Sequence, residues 1–123
     1  MTDTDVLPDK ITINLLDSPT PKTLLMSFGL LNRLAAYIHD PQQLQNIYLV
    51  PEIADVFIFE SLIERDKEGH PLEKFSPNTF GERLHFEDAE RLLKWCEGHL
   101  TAFFIKRLQA AVRVQEKILN PQG

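Results

Sequence analysis

Residues 87–119 read EDAERLLKWCEGHLTAFFIKRLQAAVRVQEKIL, and the period of this stretch decides the fold. Leu92, Trp95, Cys96, His99, Leu100, Phe103, Phe104, Leu108, Ala111, Val112, Gln115 and Ile118 recur at helical intervals, which gathers them on one side of an α-helix. Glu87–Arg91 and Glu90–Lys94 are four apart and oppositely charged, the arrangement that supports an exposed helical face. The spacing predicts one long C-terminal helix, or two divided near Gly98. Glycine costs about 1 kcal/mol relative to alanine inside a helix, so its presence there points to a kink or to a close approach by another segment.

Towards the N-terminus the period changes. Ile11, Ile13 and Leu15 alternate with Thr12 and Asn14, the two-residue repeat of a half-buried strand over Lys10–Leu16. Asp17-Ser-Pro-Thr-Pro21 is dense in turn formers, and its prolines fit neither a central strand nor a helix interior. Lys22–Met26 then returns as the second strand of a hairpin. Ser27 is placed to cap a helix that carries Leu30, Leu31, Leu34, Ala35 and Ile38 on one face and ends by His39. Asp40, Pro41 and Gln43 supply an N-cap, a first-turn proline and a capping-box partner for a short helix through Tyr48. A third helix starts at Val50-Pro51. Ile53, Val56, Phe57, Glu60 and Ile63 trace one face of it while Phe59 and Leu62 widen the apolar arc, as in a helix sandwiched between neighbours. Residues 71–84 read as a loop anchored by aromatics. Residues 1–9, with Asp3, Asp5, Pro8 and Asp9, read as a flexible arm ahead of one domain spanning 10–123. The expected fold is mainly α (α+β), an N-terminal β-hairpin followed by a bundle of about four helices.

The chain has 123 residues, 43% of them hydrophobic and 25% charged, enough for one domain with a true core. Its formal net charge of −5 lacks the basic footprint that neutralises phosphates, so neither nucleic acid nor an anionic membrane is an expected partner. No apolar run approaches the roughly 20 residues that span a bilayer. The acidic N-terminus is unlike a secretory leader, and the single cysteine excludes an internal disulfide framework. A soluble protein of a reducing cytoplasm is expected.

Catalysis finds little support. Cys96 and His99 lie three apart on one helix, a spacing that rarely aims a thiol outward at its base, and core burial beside Trp95 suits Cys96 better. His85, Cys96 and His99 form no recognised metal-ligand spacing, and the isolated glycines build no phosphate cradle. Catalytic residues, metal and cofactor are all expected to be absent. Asp55, Glu60 and Glu64 on the third helix are more simply its solvated side than an acid pair. With Asp40 and Glu52 they are also the natural surface of an alternative reading, a small acidic inhibitor or adaptor of a host enzyme.

Large apolar residues are in excess on the last two helices, and Phe57, Phe59, Phe103, Phe104 and Ile105 cannot all face one small core. Those phenylalanines are candidate interface residues. Charge is uneven as well: residues 1–64 carry three basic and nine acidic side chains, residues 65–123 ten and nine. Lys106, Arg107 and Arg113 on the final helix could therefore meet the acidic first half of a neighbouring subunit.

Leu24-Leu-Met-Ser-Phe-Gly-Leu-Leu-Asn-Arg-Leu34 after a short β element, together with Glu87–Trp95 and His99–Leu108, resembles the small tail assembly chaperones of long-tailed bacteriophages, over about Ile11–Ile118. The resemblance implies a helical, self-associating, non-enzymatic protein that needs no cofactor. It implies binding to the tape measure protein, recruitment of tail tube subunits, action in the host cytoplasm and absence from the mature virion. It also implies a short-form product, beside which a frameshift gives a longer one.

Overall fold

The computed structural model describes residues 7–72 and 80–119. Strands β1 (Lys10–Ile13) and β2 (Lys22–Leu25) pair antiparallel in the register Lys10↔Leu25 to Ile13↔Lys22. Alternation sends Ile13 and Leu24 into the core, while Thr12 and Thr23 face each other on the outside with hydroxyls 3.2 Å apart. Pairing stops earlier than the alternation predicts. At Leu16 the backbone N–H turns to donate to the Arg83 carbonyl at 2.8 Å, and Arg83 Nε holds Asp17 at 2.8 Å. The hairpin loop is thus tied to a distant segment.

Helix α1 (Phe28–Ile38) is capped by Ser27, whose Oγ accepts the Leu30 N–H at 3.1 Å. Leu30, Leu34 and Ile38 form its buried stripe, and His39 ends it at φ 72. Asp40 caps as expected, accepting the Gln42 N–H at 2.8 Å. The segment it starts differs from a single short helix: Pro41–Gln43 is one 3-10 turn and α2 is Asn46–Leu49. Leu44 and Ile47 reach back three residues to Pro41 and Leu44, which tightens the turn. Helix α3 (Pro51–Leu62) opens on its proline without a side-chain cap. It lies between α1 and the last helix, burying Phe57, Ile58 and Leu62 together with the polar Glu60 and Ser61.

Helix α4 (Phe86–Leu119) is continuous through Gly98, so of the two readings the single long helix is the one that forms. Its inner half buries Leu92, Leu93, Trp95, Cys96 and Leu100 against α1, α3 and β1. Full burial of each such side chain contributes about 1.5–3 kcal/mol.

One expectation about the connections changes, at the end of the arm that joins β1. Leu7, Pro8 and Asp9 belong to the folded body: the Pro8 carbonyl accepts from Trp95 Nε1 and faces His99 Nε2, both at 2.8 Å, and the Asp9 carbonyl accepts the Met26 N–H. The remainder of the arm, and Phe75 with its neighbours in 73–79, lie outside the described residues. Phe80, at the end of that loop, is fully buried and meets Phe59 edge to face at 5.2 Å.

Candidate protein-interaction surface

Past Phe104 the body of the protein falls away from α4. Every residue from Ile105 to Leu119 is exposed except the half-buried Ala110, a projection of about 22 Å at 1.5 Å per residue. Ile105, Leu108, Val112, Ile118 and Leu119 are each at least half exposed. Their spacing, with Ala111 between, puts them on one side of the rod. Lys106, Arg113 and Lys117 fall on the other side. An amphipathic helix whose apolar side meets only water is a surface built for contact.

At the root of the projection Phe103 is half-buried, 6.3 Å from the exposed ring of Phe28 and 5.8 Å from Phe104. The Arg107 guanidinium lies over the Phe103 ring at 5.8 Å, within cation–π range. Phe28, Leu31, His99, Ala102, Phe103, Lys106 and Arg107 line a groove of about 260 Å³ here. Phe28, which sequence reasoning left out, completes it. The signal was its place one residue beyond the Ser27 cap, on the rim of α1 outside the buried stripe.

The other candidate residues separate. Phe57 is 0% exposed and is a core residue, so it is removed from the interface set. Phe59 is half-buried against the core and Phe80, facing inward. Lys106, Arg107 and Arg113 are exposed along α4, with no ion pair among the described residues.

The acidic set also divides. Glu60 is not solvated: its carboxylate is buried between Arg33 at 3.0 Å and Arg65 at 2.8 Å and accepts from the Tyr37 hydroxyl at 3.3 Å. Burial and the adjacent Glu60 charge push the Tyr37 hydroxyl pKa upward. Glu64 holds Lys22 at 2.8 Å, which keeps its carboxyl below the usual range, and Asp40 is committed to its cap. Glu52 stays exposed and Asp55 half-buried. Asp40, Glu52 and Glu64 thus remain at the surface, whereas Glu60 does not.

Cys96 is fully buried, its Sγ 3.5 Å from Ser61 Oγ, and burial pushes the thiol up to about 12. Burial and the raised pKa both oppose thiolate formation at neutral pH. His99 turns instead to the Pro8 carbonyl, and its ring stacks edge-on with Trp95 at 5.3 Å. Among the described residues no three His, Cys, Asp or Glu side chains converge on a metal-sized site, and no helix is long and apolar enough to cross a membrane.

Comparisons with protein families, with curated proteins and with solved structures give no match.

Proposed function

We propose that this chain is a non-enzymatic assembly chaperone, which self-associates and holds an extended helical partner through the outer half of α4. The observation that carries the reading is the apolar side of Ile105–Leu119, exposed over four turns on a helix that is otherwise well packed. Such a surface is stable in water only at a cost, and a partner that covers it recovers about 25 cal/mol for each Å² buried.

The resemblance of Leu24–Leu34 and Glu87–Leu108 to tail assembly chaperones gives the partner its identity. The tape measure protein of a long-tailed phage is the extended chain to be coated, and tail tube subunits are recruited around it. The work is done in the host cytoplasm, before the virion is complete. Many copies along one partner need two complementary patches on each copy, because head-to-tail contacts generate open arrays or rings. The basic Lys106, Arg107 and Arg113 supply one patch, and the exposed acids of the first half supply the other.

The test is affinity capture of the tagged chain from cells expressing its native gene neighbourhood, with co-purifying proteins identified by mass. Recovery of a very long, helix-rich protein or a tail tube subunit is the expected result. Recovery of a host nuclease, polymerase or regulator without any structural protein overturns it in favour of an acidic inhibitor.

A further inference from the structure

The chain before β1 runs along α4 in a fixed direction. Arg91 Nη2 donates to the Thr12 carbonyl at 3.2 Å, Trp95 and His99 hold the Pro8 carbonyl, and Leu7 lies over Gly98. Going backwards from Thr12 to Leu7, the backbone therefore climbs α4 from Arg91 to His99, towards the helix C-terminus. The next positions on that side of the helix are Ala102 and Lys106, which are walls of the groove between Phe28 and Phe103.

Charge points to the same occupant. No Asp or Glu occurs in α1 or between Gly98 and Gln115 of α4, so the groove has Lys106 and Arg107 at its rim and no carboxylate in its walls. The six residues that precede Leu7 are Met1-Thr-Asp-Thr-Asp-Val6. In an extended segment Asp3 and Asp5 project from the same side. Six residues reach at most about 20 Å, and His99 to Arg107 is about 12 Å of helix.

We propose that the groove lined by Phe28, Phe103, Lys106 and Arg107 is the docking site of this chain's own N-terminal segment, residues 1–6, with Asp3 and Asp5 paired to Lys106 and Arg107. The segment then covers, within one subunit, basic residues that a neighbouring copy or partner would otherwise use. This contact follows from chain direction and charge and does not rest on the chaperone reading.

The experiment places a nitroxide label at Thr2→Cys in the full chain; the buried Cys96 stays unlabelled. Amide NMR intensities are then recorded. Loss of intensity at Phe28 and Ala102–Arg107, weakened by added salt, is expected. Lys106→Glu with Arg107→Glu, both exposed positions, should abolish the loss, and adding Asp3→Lys with Asp5→Lys should restore it. Full intensity at Phe28 and Ala102–Arg107, or a loss unaffected by the charge reversals, overturns the proposal and leaves the groove to another occupant. Mixing spin-labelled, isotopically silent chains with unlabelled, isotopically enriched ones separates the remaining case: loss in the mixture means that the segment docks on a second copy, which also overturns it.

Discussion

Leu7 rests on Gly98, its Cδ2 standing 2.9 Å from the position that a Cβ on residue 98 would occupy. This contact explains a glycine in the middle of a 34-residue helix that does not break there. The arm crosses α4 at this point, and a side chain on residue 98 would meet it.

The relationship predicts non-additive stability. Gly98→Ala alone should stabilise by less than the roughly 1 kcal/mol that helix propensity provides, because the Leu7 side chain must turn away. In a Leu7→Ala background the same change should deliver the full amount. Urea unfolding of the four proteins measures the difference, and equal gains in both backgrounds would mean that the two residues are independent.

Glu60 and Glu64 are predicted to behave oppositely although they are only four residues apart. Glu60→Leu strands Arg65, which is largely buried and whose Nε already lacks a hydrogen-bond partner. Breaking a buried pair costs about 3–5 kcal/mol, and the lower end applies because Arg33 is about one-third exposed. Glu64→Gln breaks an exposed pair with Lys22 and should cost under about 1 kcal/mol. Thermal unfolding of both variants checks the ordering; comparable losses would show that the Glu60 cluster is effectively solvated.

These two cases also mark where the sequence was readable. The helical period of residues 87–119, the Ser27 cap and the alternation of Ile11–Leu15 are local signals and produced a long helix, a capped helix and a strand, the last shorter than expected; Asp40 caps as read, but a 3-10 turn and a separate short helix follow it. Glu60 carries no such signal, since its partner Arg33 is 27 residues away and Arg65 follows the end of α3. The docking of Leu7–Asp9 depends on Trp95 and His99, nearly ninety positions on. The excess of aromatic residues was visible, but its division between core and surface was not: Phe57 and Phe103 occur in similar apolar runs, and only the packing of α3 between two helices buries the former.

Cys96 predicts a fall in stability at alkaline pH. Its folded pKa is raised from 9.0 to about 12 by burial, so its contribution is fully present below the unfolded-state value and is lost as pH rises towards the folded one. Tyr48, raised to about 12 first by desolvation and then by Glu97, adds in the same direction. It adds less, because the residue is half exposed. Urea midpoints should therefore drop between about pH 9 and 12, and Cys96→Ala should flatten most of the drop relative to its own value at neutral pH. A thiol reagent at neutral pH should label the native protein only as fast as it opens; rapid labelling would contradict the burial.

The outer half of α4 makes the last prediction, in which two kinds of surface are separated. If the basic residues drive self-association, Lys106→Glu, Arg107→Glu and Arg113→Glu together should reduce assembly size in light scattering, and added salt should imitate them. If the apolar side of the rod drives it, Leu108→Asp with Val112→Asp should do so instead, with little salt dependence. Both sets of positions are exposed, so circular dichroism should show the helix content unchanged in either case. Phe103→Ser with Phe104→Ser tests the root of the rod, where the two rings are half-buried. Loss of assembly with intact helicity would place them in the contact, whereas loss of the fold itself would assign them to the core. An assembly size unaffected by all three sets of changes would remove self-association through α4 altogether and leave its exposed side for a different protein.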